Sequence, residues 1–384
     1  VKLVVQVKLL PTAEQASALE ATLRACNTAA TEVAATARTA RVYRDYALRK
    51  HVYAGIKTDH GLGAQAAQHV IKKVCDAYKT LASNLRAGNY GAPESKRYRR
   101  VASEPVTFRW QAAQPYDARM LTWQHDAGTV SIWTVTGRMK NVAYTGSPDQ
   151  LKAVAELPVG ESDLVHRDGM WFLYASVDVA EARLVEPQGF LGVDMGVVQI
   201  ATDSDGRTYT GEQLNRYRRR QVRLRATLQA TKTESARRLL TKRSRRESRH
   251  AANVNHVISK SIVAEAERTS RAIAVEELTG IRTRVRLRNK PQRATLHSWS
   301  FAQLGEFLIY KARRAGIPLV QVDPRYTSQT CSKCGHRDKR NRPDQATFIC
   351  RSCGVVAHAD VNAAVNIAVR GAAGGGAVNR PYVA

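Results

Sequence analysis

Nowhere in the 384 residues is there an unbroken run of about 18 apolar side chains, which excludes a segment crossing a bilayer as a single helix. The first residues also lack the charged-then-apolar layout of a secretory leader, so a soluble, intracellular protein is expected. Acids are scarce: 33 Asp and Glu face 60 Lys and Arg, leaving a formal net charge of +27. That excess exceeds what solubility requires and favours a polyanionic partner, with nucleic acid the first candidate and a membrane surface the alternative. Cysteine is sparse as well, and four of the six fall in two Cys-x-x-Cys pairs. In a reducing compartment this pattern points to a metal rather than to disulfides. The other two, Cys26 and Cys75, stand alone in Ala-rich text and read as small buried apolar residues.

What is present suffices for two or three folded domains, given 43% hydrophobic residues and typical domains of roughly 100–200 residues. Residues 1–10 are rich in β-branched side chains and end at Pro11, as a strand would. Thr12 followed by Gln15 forms a capping-box signature before an Ala-rich helical stretch over residues 13–41. A second helix is predicted over residues 65–81 from Val70, Val74, Ala77 and Leu81. The basic segment Ser95 to Arg100 closes this helical region. It reads as a solvated linker, or, with Tyr98 among Arg97 and Arg99, as a nucleic-acid contact.

Between residues 106 and 179 the text changes to short strands, VTFRW, MLTWQ, TVSIWTV, MKNVAY and MWFLYASVDV, with turns at Asp126-Ala127-Gly128 and Arg167-Asp168-Gly169. A small antiparallel barrel or sandwich is expected, with the first strand joining it and the N-terminal helices inserted. Trp110, Trp123, Trp133 and Trp171 read as core. After a linker at Glu186 to Gly189, three strands, a long helical stretch over residues 211–268 broken near 244–251, a strand over 271–278, a helix over 301–316 and a strand over 317–323 make an α/β layout. In the long stretch Leu214, Tyr217, Leu224 and Leu228 mark a packed face. Arg218, Arg219, Arg220, Arg223 and Arg225 mark the other, read either as a solvated face or as a phosphate contact.

The strongest local signal is Cys331-x-x-Cys334, fifteen residues, then Cys350-x-x-Cys353. Two such pairs offer four thiolates to one Zn2+, closing a tetrahedral site and leaving no position for an activated water, so the zinc is expected to be structural. A second signal is three acids in text otherwise suited to burial: Asp194 in FLGVDMG, Glu276 in IAVEEL, and Asp360 opening ADVNAAVNIA. Singly each reads as a cap or strand-end residue. Together, as hard oxygen donors, they suit Mg2+ or Mn2+ and the hydrolysis of a phosphodiester.

The blocks GVDMGV, VEEL and YTSQTC-x-x-C…C-x-x-CG…ADVNAAVNIA resemble the three catalytic motifs and zinc ribbon of the TnpB family, transposon-encoded relatives of type V CRISPR effectors. The likeness runs collinearly from the first strand to Ile367. It implies a multidomain α+β and α/β protein: an oligonucleotide-binding wedge β-barrel with a helical recognition insert, followed by an RNase H-like RuvC nuclease domain with an inserted zinc ribbon. The expected divisions are residues 1–10 (first barrel strand), 11–104 (helical insert), 105–185 (barrel), 186–326 (nuclease), 327–358 (ribbon), 359–370 (final nuclease helix) and 371–384 (flexible tail). The resemblance further implies a magnesium-dependent DNA endonuclease guided by RNA from the transposon end, cutting double-stranded DNA beside a short adjacent motif. Asp194, Glu276 and Asp360 are its implied catalytic carboxylates. Glu277 stands where the family commonly has Asp and reads as a solvated neighbour.

Family members with a decayed nuclease lose one or more of the three acids, and this chain keeps all three. A monomer in the bacterial cytoplasm, on the nucleoid when bound to DNA, is expected. The rival readings are a guided DNA-binding repressor without cleavage, a transposase, and a miniature CRISPR effector. His256 and His358 are read as structural. The ribbon is expected to set where the helix bearing Asp360 begins.

Overall fold

The computed structural model describes residues 1–243, 245–278 and 301–374. Two compact units divide the chain, one of residues 2–179 and one, apart from Val1, of residues 180–384. The division falls six residues before the expected boundary at 185/186.

In the first unit, β1 (Lys2–Leu10) leads into four helices, α1 (Ala13–Ala40), α2 (Asp45–His60), α3 (Ala64–Arg86) and α4 (Lys96–Ser103). These precede β2 (Gln114–Tyr116), β3 (Leu121–Gln124), β4 (Thr129–Thr134), β5 (Gly137–Thr145), α5 (Pro148–Glu156), β6 (Val159–Arg167) and β7 (Met170–Asp178). The strands form one antiparallel sheet in the order β2-β6-β7-β1-β5-β4-β3. Alternation in β1 turns Val5, Val7 and Leu9 to the core, and that face pattern puts the first strand mid-sheet between β7 and β5. The sheet curls: Tyr116 on edge strand β2 donates its hydroxyl to the Trp133 carbonyl of β4, near the opposite edge, at 3.1 Å.

The capping box at Thr12 and Gln15 forms as expected, and α1 buries Leu19, Leu23, Cys26, Ala30, Val33 and Ala37 at spacings of four and three. Cys26 is a core residue, and burial pushes its thiol up to about 12. Several elements depart from expectation. The segment VTFRW is not a strand: helix side chains satisfy its backbone, with Thr31 Oγ1 accepting from Phe108 N at 3.1 Å and Asn27 Nδ2 donating to the Trp110 and Ala112 carbonyls at 2.8 and 2.9 Å. Helix α2 rests on a thin stripe of Leu48, Val52 and Ile56 in polar text. The polar strand β6 buries only Ser162 and Leu164, gaining its order from pairing with β7. The basic run at residues 95–100 is helical, capped by Ser95.

The second unit contains β8 (Phe190–Asp194), β9 (Gln199–Asp203), β10 (Thr208–Thr210), α6 (Glu212–Thr231), α7 (Glu234–Arg243), α8 (Arg246–Arg268), β11 (Ala272–Glu276), α9 (Phe301–Arg314) and β12 (Leu319–Val322). A short ribbon with β13 (Thr347–Ile349) and β14 (Val356–His358) then runs directly into α10 (Ala359–Ala372). The sheet order is β10-β9-β8-β11-β12, with β8, β11 and β12 parallel to one another and β9 and β10 added antiparallel. Leu191, Val193, Ile273 and Val275 face α8 and α9 through Ile258, Ile262, Leu304 and Leu308. Ala274, Val320 and Val322 face the other way, onto Ile367 of α10. The long helical stretch breaks at Lys232 as well as near 244, Lys232 adopting a left-handed backbone (φ 54°).

Helix α10 approaches the sheet so closely that only glycine fits beneath it. A Cβ on Gly192 of β8 would lie 2.0 Å from the Ala364 carbonyl and 2.6 Å from the Ala368 nitrogen. Gly371 plays the same part from the helix side, against Ala274 and Phe190.

Candidate functional site

Strand parity determines where the acids go. Side chains alternate across a sheet, so with Val193 and Val275 facing α8 and α9, Asp194 and Glu276 point to the α10 face at the C-terminal ends of adjacent parallel strands. Asp360 sits in the first turn of α10, on that same face. The three carboxyls are close enough to feel one another. Burial first, then the like charges of Glu276 and Asp360, push the Asp194 carboxyl from 3.8 up to about 8, against the pull of Arg342. Glu276 is buried and raised by that burial, a shift partly offset by the Thr327 hydroxyl, which donates to its Oε1 at 2.6 Å. Its neighbour Glu277 is exposed. Asp360 Oδ1 accepts from Arg342 at 3.3 Å.

Thr327 and Arg342 contact the candidate acids, and neither was singled out by the sequence. Thr327, in the short segment before the first cysteine pair, has no spacing or residue-type signal that sets it apart. Arg342 carried no signal at all among the other basic residues of the ribbon.

The four cysteines come together. Their Sγ atoms all lie within 4.8 Å of one another, with Cys331 and Cys353 3.7 Å apart and Cys334 and Cys350 3.6 Å apart. A tetrahedron with metal–sulfur bonds of about 2.3 Å has edges of about 3.8 Å, so the donor set fits a four-coordinate metal ion. The backbone N–H groups of Cys353 and Ser352 point at Cys350 Sγ and hold that thiol down at about 6, favouring the thiolate a metal needs.

The ribbon is tied to α10 by asparagines. Asn362 accepts from Ser332 N (3.0 Å) and donates to the Thr330 carbonyl (2.8 Å), and Asn366 donates to the Thr327 and Thr330 carbonyls (2.9 and 2.7 Å). Ala359 packs on Cys331, Phe348 and Cys350. His358 caps the helix, its Nδ1 accepting from Asp360 N at 3.3 Å, and His256 stacks on Phe307 with centroids 3.9 Å apart; both have the structural roles expected of them.

The arginine face needs a correction. Arg218 does not belong to it: its side chain is 12% exposed and sits 3.7 Å from Glu247 between α6 and α8. Arg225 shares that partner at 3.2 Å. Arg219, Arg220 and Arg223 are exposed as expected. In the first unit Arg97 and Arg99 are exposed, Arg97 lying over the Tyr90 ring at 5.3 Å and Arg99 donating to the Glu94 carbonyl at 3.0 Å. No helix among the described residues is long and apolar enough to cross a membrane.

The site therefore defines a class: a mixed α/β domain with converging carboxylates at its strand ends and a four-cysteine module feeding the helix that bears the third. The family described as Cas12f1-like, TNB domain, matches residues 301–367. The CRISPR-associated endodeoxyribonuclease Cas12f1 of Sulfoacidibacillus thermotolerans is 33% identical over 234 residues, 56% of this chain and 54% of that protein. The TnpB-like protein MJ0751 of Methanocaldococcus jannaschii is 29% identical over 206 residues, 50% of this chain and 73% of the relative. The fold is like that of Cas12f1 in the cryo-EM structure of a Cas12f1-sgRNA-target DNA complex, with a TM-score of 0.55 at 17% identity, covering 91% of this chain and 82% of that one. The chain spans about half the length of the Cas12f1 relative. Over about half its length the chain is thus similar in sequence to TnpB-like and Cas12f proteins.

Proposed function

We propose that the chain is an RNA-guided DNA endonuclease of the TnpB kind, in which Asp194, Glu276 and Asp360 hold the catalytic Mg2+. The observation that carries this reading is the acid cluster: Asp194 and Glu276 end adjacent parallel strands facing Asp360, and burial with two like charges, only partly offset by Arg342, holds the Asp194 carboxyl at about 8, a site that a divalent cation would relieve. Magnesium bound there would supply Lewis-acid stabilisation of the charge developing on a phosphodiester. The protein's own contribution is positional. Thr327 fixes the Glu276 carboxylate, Arg342 holds Asp360, and the parallel register of β8 and β11 sets Asp194 beside Glu276.

The strand order β10-β9-β8-β11-β12 supports an RNase H-like, RuvC-type nuclease domain, and the curled sheet with inserted helices supports an oligonucleotide-binding wedge barrel. The cysteine module is a zinc ribbon whose metal is structural, four thiolates leaving no open position. Guide RNA and target DNA account for the charge of +27, and Cas12f1 has been seen in complex with both an sgRNA and target DNA. Base pairing with the guide then reads most of the target.

The test is to express the protein with its flanking DNA, sequence the RNA that co-purifies, and assay cleavage of a matching duplex with and without Mg2+. A uniform bound RNA and magnesium-dependent cutting lost in Asp194→Ala support the proposal. Cleavage undiminished in Asp194→Ala and Asp360→Ala, or no bound RNA, overturns it.

A further inference from the structure

Asp323 and Arg370, whose charges act on Glu276, line an open trough of about 530 Å³ with Gln321, Arg325 and Tyr326 at the C-terminal end of β12. Tyr326 is conspicuous in it. Its backbone is left-handed (φ 63°), a conformation unfavourable for an aromatic residue. The backbone is held there by a turn in which its carbonyl accepts from Gln329 N, Thr330 N and Thr330 Oγ1 at 3.0, 3.1 and 2.8 Å. The ring contributes nothing to the core: Tyr326 is 49% exposed. The Arg337 guanidinium lies over one ring face, 4.3 Å from the centroid, so the exposed surface is the other face and the edge. The next residue, Thr327, is the one that holds Glu276. Strained backbone that presents an unburied side chain beside a reactive centre is characteristic of a ligand contact rather than of folding.

We infer that Tyr326, backed by Arg337, is a stacking platform for a base of the single nucleic-acid strand entering the carboxylate site, with Arg325 taking a neighbouring phosphate. Every base has a π-face, so a platform of this kind binds without regard to sequence, and a guanidinium behind the ring keeps it rigid and strengthens the stack. The ordering is linear along the chain: Arg325 holds the backbone, Tyr326 the base, and Thr327 the acid. The single aspartate of the trough, Asp323, is turned to the backbone, its Oδ1 accepting from Arg325 N at 2.9 Å. Tyr326 is a positioning residue in this scheme.

The inference rests on the nuclease reading for what the neighbouring acids do, so its test includes a readout that needs no cleavage. The full chain, in Ca2+ without Mg2+, is irradiated with a short single-stranded DNA carrying 5-iodouracil, and the adduct is mapped by mass spectrometry. Crosslinking at Tyr326, within the tryptic peptide of residues 326–333, is expected. In parallel, Tyr326→Gly removes the ring while suiting the left-handed backbone, so it is the variant that folds. It should raise KM for a short single-stranded substrate between about 5- and 150-fold, the range for one lost base stack, with kcat little changed. Tyr326→Trp should keep KM near the parent value. Adducts confined to other residues, or an unchanged KM in Tyr326→Gly, overturn the platform. If the chain cuts nothing yet crosslinks at Tyr326, the nuclease reading fails and the platform stands.

Discussion

Replacing Asp194 by Asn should make the metal-free protein more stable, and the gain should depend on pH in a way that isolates the acid cluster. In the folded chain the Asp194 carboxyl releases its proton only near about 8, against an ordinary 3.8. A raised carboxyl binds its proton more tightly in the folded state than in the unfolded chain. Its contribution to stability is therefore full below 3.8 and lost as pH rises toward 8. The span between those two values corresponds to about 5 kcal/mol at pH 8, a ceiling because water entering on local opening screens the carboxyls. Asn resembles the protonated acid and carries no such penalty. Urea unfolding of parent and Asp194→Asn without divalent cation should give nearly equal stabilities at pH 4. At pH 8 the variant should be ahead by at least about 2 kcal/mol. Added Mg2+ should stabilise the parent at pH 8 and leave the variant unmoved. Parallel pH curves for the two proteins would refute the claim that burial and the like charges of Glu276 and Asp360 outweigh Arg342 at Asp194.

Cys350→Ser should lower bound zinc, read by a chromogenic chelator, and DNA cleavage together; full cleavage without zinc would break the coupling between ribbon and α10. Thr327→Val removes the hydroxyl that donates to buried Glu276 at 2.6 Å. A bond to a charged group is worth about 1.5–3 kcal/mol, so the carboxyl should be raised further and the rate–pH profile should move to higher pH. Gly192→Ala drives a Cβ to 2.0 Å from the Ala364 carbonyl. It should cost about 3 kcal/mol in thermal unfolding through displacement of α10, whereas Gly305→Ala in α9, with open space around its Cβ, should cost nothing. Arg219, Arg220 and Arg223 changed together to Gln should reduce the salt dependence of single-strand binding by about 2 in log–log slope. Arg218→Gln should instead loosen the contact of α6 with α8, seen as faster proteolysis without that change of slope.

Much of the fold was legible because the relevant signals are local. The capping box at Thr12, the stripe of α1 and the inward alternation of Val5, Val7 and Leu9 each follow from neighbours within a turn or a strand. Elements with weak local pattern were not legible. Helix α2 depends on three buried residues, β6 on its pairing partner, and the extended VTFRW segment on helix side chains that take the hydrogen bonds a strand would have made. At the site, Asp194, Glu276 and the cysteines stood out as residue types in unlikely surroundings or at metal-ligand spacing. Arg342 and Thr327 did not, since a basic residue in a basic chain and a threonine in a turn carry no pattern. The exclusion of Arg218 from the solvent-facing set was equally invisible, because Glu247 lies 29 positions away.

By itself, then, the sequence determined the chemistry on offer: four thiolates, three acids in apolar text, and a charge suited to a polyanion. These depend on residue identity and short spacing, which no folding changes. Only the tertiary structure decided how they are used. Parity and register turned two acids to one face, Gly192 let α10 bring the third against them, and the asparagine clamps joined the ribbon to that helix. Distances between groups far apart in the chain are set by packing, and packing alone brought three separate carboxyls within reach of one another's charge.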